Sequence, residues 1–167
     1  MSKPKITMNN LEDVTKSLES KTLRVCVIGI GRIGLPTALS FAKSGLETIG
    51  VDINKQLVDE INSGTFPLKD EPGYEDIFHS VIKNQKFSAT TNIEDAVPIS
   101  DLVLLSLPTP MDENNIPDYT ALRTVASNLA EILSVHSLVI VESTIEPGFI
   151  EDEMVSLLSL IHISEPT

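Results

Sequence analysis

"VIGIGRIGLPTALSF", residues 27–41, decides how this chain folds. It opens on an apolar run of β type, passes through Gly29, Gly31 and Gly34, and continues into a segment of helical period that contains Pro36. Glycines at this spacing suit a turn that ends a strand, a backbone that a diphosphate can approach, and a close helix–strand contact. They also suit a plain strand-to-helix turn with no ligand, and Pro36 fits both because proline is tolerated in the first turn of a helix. The neighbours favour a ligand. A helix starting at Ile33 presents free N–H groups and partial positive charge to an anion. Asp52 ends the next apolar run, eighteen positions beyond Gly34. A carboxylate there accepts hydrogen bonds from both hydroxyls of an adenosine ribose and repels a 2′-phosphate, so NAD is expected rather than NADP. Lys55 supplies one nearby cation that works against this preference. In the alternative, Gly29, Gly31 and Gly34 shape a turn and Asp52 caps the following helix.

Outward from this motif, short apolar runs alternate with helical segments. "LRVCVIG" (23–29) reads as strand, 33–44 as helix, "ETIGVD" (47–52) as strand and 55–62 as helix, which makes a βαβ unit. A loop containing "FPLKDEPG" leads to a helix over 74–83 and a strand at "KFSATT". "SDLVLLSL" reads as a buried strand, 119–133 as helix, "SLVIVES" as strand, and a last helix begins near Gly148. Strands apolar on both faces and separated by helices predict an α/β fold, a Rossmann-like doubly wound parallel sheet with helices on both faces. "SLPTP" (106–110) and "ESTIEPG" (142–148) each follow a strand and so belong at the carboxyl edge, where ligands bind in such sheets. Thr109, Ser143 and Thr144 offer hydroxyls near the nicotinamide half of the cofactor, or else they cap the next helices. Residues 1–22 are polar, with Leu11, Val14 and Leu18 at helical spacing, and predict a short docking helix or a leader.

Composition narrows the function. The 167 residues, 41% of them apolar, suffice for one domain with a core. A formal charge of −12 opposes binding to nucleic acid or anionic lipid. The apolar runs are too short to span a bilayer, and the N-terminus lacks a secretory core, so a cytoplasmic location is expected. The one cysteine, Cys26, lies within an apolar strand and is expected to be buried and inert. His79, His136 and His162 show no metal-ligand spacing, and no metal is expected. The acidic stretches "DEPGYED" and "EDE" suit solvated helix starts.

"VIGIGRIGLPTALSFAKSGLETIGVDIN", "EPG", "LPTP", "PDYTAL" and "VIVESTIEPG" occur in an order that resembles the UDP-glucose/GDP-mannose dehydrogenase family, most of all its members acting on UDP-N-acetylhexosamines. The resemblance spans about 23–157. It implies an NAD-dependent enzyme that oxidises the C6 alcohol of a UDP-sugar to a carboxylate in two hydride transfers, through an aldehyde and a cysteine-bound thioester. It places Gly29, Ile30, Gly31, Arg32, Ile33, Gly34 and Asp52 in the dinucleotide site, Thr109 at the cofactor, and Thr144 as the active-site threonine that also touches the cofactor. It further implies a homodimer for the full-length enzyme. The family's catalytic glutamate, lysine, asparagine and nucleophilic cysteine fall beyond Thr167, and Cys26 is not that nucleophile. Leu57 stands where some relatives carry an arginine that contacts adenosine. Residues 158–167, "LSLIHISEPT", resemble the translation of a sequencing-library adapter; on that reading the natural sequence stops near Leu157 and His162 carries no chemistry. Two other classes accommodate the glycine loop: a free-standing NAD-sensing regulatory module and the cofactor domain of a β-hydroxyacid dehydrogenase.

Overall fold

The computed structural model describes residues 10–71 and 73–159. Its strands are β1 (Arg24–Ile28), β2 (Glu47–Val51), β3 (Phe87–Thr90), β4 (Leu102–Leu105) and β5 (Leu138–Val141). All pair in parallel, in the order β3-β2-β1-β4-β5. The helices are α1 (Leu11–Glu19), α2 (Gly34–Lys43), α3 (Lys55–Asn62), α4 (Glu75–Lys83), α5 (Ile93–Ala96), α6 (Thr120–Ile132) and α7 (Val155–Ser159). β1 is central, with Val27 level with Gly50 on one side and Leu104 on the other.

From Val25 to Ile28 in β1 and throughout β4 the residues are apolar at every position because both faces of these central strands are covered. Val25, Val27, Leu102 and Leu104 belong to one core, with Leu35, Ala38 and Leu39 of α2 and Phe78 of α4. Cys26, Ile28, Val103 and Leu105 belong to the other, with Leu122, Ala126 and Leu129 of α6. Side chains alternate in direction along a strand, so each two-residue step returns to the same core. Cys26 is fully buried on β1, and loss of solvent pushes its thiol up to about 12. A thiol kept protonated at neutral pH is a poor nucleophile. The folded chain is therefore expected to leave Ellman's reagent unreacted at pH 8, and to release one equivalent of colour once denatured.

The structure departs from the sequence expectations in three places: the β3–β4 connection, β5 and the last helix. The β3–β4 connection contains α5 and a 3₁₀ turn, Val97–Ile99, which the periodicity does not reveal. Asn92 caps α5 by accepting from the Glu94 N–H, and Ala96 and Val97 are buried. In β5, Val139 and Val141 pack towards α6, whereas Leu138 and Ile140 remain 42% and 39% exposed. Among the described residues, β5 is thus covered on one face. α1 forms at the predicted helical spacing, with the Asn10 side chain accepting from Glu12 and Asp13 N–H groups. Among the described residues most of its apolar stripe is uncovered, with Leu11 81% and Leu18 42% exposed. The last helix begins as a π turn, Ile150–Met154, before continuing as α7. Of the stretch read as adapter, Leu158 and Ser159 end α7, and 160–167, with His162, lie outside the described residues.

Candidate functional site

The strand order reverses between β1 and β4, so their carboxyl ends diverge and open a crevice. A cleft of about 880 Å³ occupies this position, within the size range of ligand sites. The glycine loop forms its floor. Gly29 has φ +88°, a conformation that costs a side chain dear, and its N–H donates to Val51 O at 2.8 Å. Ser106 N–H donates to Ile28 O at 2.8 Å, so sheet bonding persists into the loop on both flanks. A Cβ on Gly34 would overlap the Gly29 carbonyl oxygen, whereas a Cβ on Gly31 would meet nothing within 4 Å among the described residues. Gly34 is small so that α2 can pack, and Gly31 is small beside open space.

Electrostatics favour an anion above that floor. The N-cap of α2, Ile33, makes no side-chain cap, and among the described residues the N–H groups of Gly31, Arg32 and Ile33 have no acceptor. Bare amides at a helix N-terminus are an anion site. Arg32 lines the cleft with its guanidinium 3.7 Å from Glu71 in an exposed pair.

Asp52 stands at the end of β2 and is half-buried. Its Oδ2 accepts from Ile30 N–H at 3.1 Å and its Oδ1 from Asn54 N–H at 2.9 Å. A carboxylate has about four acceptor sites, so each oxygen keeps one. Asp52 does not cap α3; Asn54 does, accepting from Gln56 and Leu57 N–H groups. Lys55, the cation that weakened the case against a 2′-phosphate, pairs with Asp59 at 2.7 Å. The Leu57 side chain packs against the core and carries no polar group.

The two edge loops also line the cleft, with Thr109 half-buried and Thr144 exposed. Neither hydroxyl has a hydrogen bond among the described residues. Neither caps a helix, because the N-caps of α6 and of the π turn are Tyr119 and Phe149. Ser143 differs. Its Oγ accepts from Leu107 N–H at 2.9 Å and donates to Leu107 O at 2.8 Å, so the hydroxyl expected at the nicotinamide is turned into the loops.

Several contributors escape sequence reading. The Tyr119 hydroxyl accepts from Glu146 N–H at 3.0 Å, across 27 positions. Its ring lies 4.3 Å from that of Phe149, and the Arg123 guanidinium sits 5.9 Å from its centroid. Arg123 donates to Glu153 at 2.9 Å, and this hydrogen bond holds the Glu153 carboxyl below its usual range. Glu142 accepts from the Thr37 hydroxyl of α2 at 3.0 Å. Ala121, Thr124 and Asn128 form one wall of the cleft, and their three- and four-residue steps on α6 are the signal that could have revealed them. Among the described residues no cluster of three or more His, Cys, Asp or Glu could hold a metal ion, and no helix is long and apolar enough to cross a membrane.

A parallel sheet reversing at β1, a helix N-terminus of bare amides and a carboxylate closing the neighbouring strand define a dinucleotide-binding Rossmann domain. Residues 23–162 match the profile described as "UDP-glucose/GDP-mannose dehydrogenase family, NAD binding domain", and the chain belongs to this family. A UDP-N-acetyl-D-mannosamine dehydrogenase of Campylobacter jejuni is 40% identical over 129 residues, which are 77% of this chain and 30% of that protein. The solved UDP-D-ManNAc dehydrogenase of Pyrococcus horikoshii superimposes with a TM-score of 0.78 at 34% identity, over 86% of this chain and 34% of the other. The GDP-mannose dehydrogenase of Pseudomonas aeruginosa gives 0.77 at 29% identity, over 82% and 32%. The chain thus spans about a third of the length of the relatives it matches.

Proposed function

We propose that this chain is the cofactor-binding part of a nucleotide-sugar 6-dehydrogenase that oxidises the C6 alcohol of a UDP-N-acetylhexosamine to the carboxylate. The observation that carries the reading is the set of N–H groups at Gly31, Arg32 and Ile33 that have no acceptor among the described residues, beside the part-used Asp52 carboxylate. NAD, when bound, supplies the hydride acceptor. In this reading Gly29, Ile30, Gly31, Arg32, Ile33 and Gly34 cradle the diphosphate, and Asp52 takes the ribose hydroxyls with its remaining acceptor sites. Thr109 and Thr144 present free hydroxyls to the nicotinamide end, where Thr144 orients the reacting oxygen as the catalytic threonine. The unit that does this is 23–157, with 1–22 outside it.

The remainder of the enzyme supplies the sugar site and the thioester-forming cysteine. Cys26 cannot take that part, because it lies in β1 with its thiol held protonated. The chain alone is therefore a binder without turnover. A homodimer of the full-length enzyme belongs to the same reading. So does a cytoplasmic location, which suits a lone, reduced and buried cysteine.

Asp52→Ala tests the ribose contact. It is expected to weaken NAD binding by about 1–3 kcal/mol through lost charge-assisted hydrogen bonds. It should also narrow the preference for NAD over NADP, because the carboxylate no longer repels a 2′-phosphate. Both are read by calorimetric titration, with thermal unfolding as the control for the lost Ile30 and Asn54 contacts. Unchanged NAD affinity in a folded variant would remove Asp52 from the site.

A further inference from the structure

We propose that Ser143 is a positioning residue whose hydroxyl locks together the loops carrying Thr109 and Thr144 and thereby sets the nicotinamide end of the cleft; this rests on the cofactor reading above. Main-chain pairing between the β4 and β5 sides ends where Glu142 N–H donates to Leu105 O at 2.8 Å. Beyond that point the Ser143 side chain takes over. It accepts from Leu107 N–H at 2.9 Å and donates to Leu107 O at 2.8 Å. A hydroxyl has one donor and two acceptor sites, so a single group satisfies both polar atoms of Leu107. The sheet edge is in effect lengthened by one residue, two positions short of Thr109.

Thr144 is tied on both sides. Ser143 precedes it, and Glu146 follows with its N–H on the Tyr119 hydroxyl at 3.0 Å. Tyr119 is itself buried, with its ring packed at a tilt against that of Phe149. Among the described residues the hydroxyls of Thr109 and Thr144 have no partners, so fixed backbones present groups free to meet a ligand. The diphosphate end has separate ties. Gly29 N–H bonds to Val51 O, Ser106 N–H to Ile28 O and Ile30 N–H to Asp52, and none passes through Ser143. Removing the serine hydroxyl strands two part-buried polar atoms and loosens one end of the cleft alone.

The test is calorimetric titration of the 167-residue chain with NAD and with ADP-ribose, which is the same ligand without nicotinamide. Ser143→Ala is expected to weaken NAD roughly tenfold and ADP-ribose by less than about twofold, a difference that general destabilisation does not create. Ser143→Thr, which keeps the hydroxyl, should restore the NAD affinity. Tyr119→Phe should give a smaller loss, about threefold, again confined to NAD. If Ser143→Ala does not fold, Ser143→Cys, a side chain of similar size with a weaker donor and acceptor, takes its place: selective loss of NAD affinity supports the proposal, and equal losses for both ligands, or none, overturn it. Equal losses for both ligands, or none, in folded Ser143→Ala overturn the positioning role and leave the cofactor reading standing. Absence of binding by either ligand to the wild-type chain overturns both.

Discussion

Gly34→Ala is expected to be the most damaging single methyl that can be added to this chain, lowering its stability by more than about 3 kcal/mol. The added Cβ would overlap the Gly29 carbonyl oxygen and lie 3.1 Å from Ser106 Cβ. Neither neighbour can yield cheaply. Gly29 is fixed by its bond to Val51 and by a left-handed φ, and Ser106 is fixed by its bond to Ile28. Relief would require α2 to move away from β1, opening the core formed by Leu35, Ala38 and Leu39 with Val25 and Val27. For a chain of this length a loss of that size lowers Tm by roughly 10 °C. Thermal unfolding followed by circular dichroism measures it. A Tm within two or three degrees of wild type would show that α2 does not sit where the close contact places it.

Much of this was legible in the sequence, for identifiable reasons. α3 runs over Lys55–Asn62 as its amphipathic period predicts, and strands buried on both faces announce themselves as unbroken apolar runs. The roles of Gly29 and Gly34 followed from spacing, because a strand-to-helix turn at close range leaves little alternative to glycine. α5 was hidden by its length of four residues, too short to display a period. The half-covered state of β5 was hidden because apolar residues look alike whether or not another element covers them, as Leu138 and Ile140 show. α1 showed the converse: Leu11, Val14 and Leu18 keep helical spacing although most of that stripe faces solvent.

Within the site, local spacing resolved what lies along the backbone and failed where side chains meet across the fold. Adjacent hydroxyls at Ser143 and Thr144 are equivalent on paper. The structure separates them, one bonded to Leu107 and the other without a hydrogen bond among the described residues. The Tyr119–Glu146 contact joins two segments that no local pattern links. Asp52 and its alternative role as a helix cap were separated by its neighbour, since Asn54 already satisfies the first amides of α3.

Gly31→Val should behave in the opposite way to Gly34→Ala. Among the described residues no atom lies within 4 Å of a Cβ built on Gly31, and its φ is outside the left-handed region, so the substitution has little to disturb in the fold. Its side chain projects beside the bare amides of the α2 N-terminus, the place assigned to the diphosphate. The branched methyl groups would hold an anion away from the N–H groups of Gly31, Arg32 and Ile33 and remove several charge-assisted hydrogen bonds together. The expected outcome is a Tm near that of wild type and NAD affinity reduced by about a hundredfold or more, equivalent to about 2.7 kcal/mol. The pair of variants separates two uses of glycine in one loop, packing at Gly34 and the ligand access proposed for Gly31.

The most direct measurement is a calorimetric titration of NAD into the folded wild-type chain and into Gly31→Val side by side. Saturable binding at one site in the wild type, absent from a variant of unchanged thermal stability, is the predicted result. Equal heats from the two proteins, or none from the wild type at millimolar NAD, would contradict a diphosphate resting on the amides of this loop.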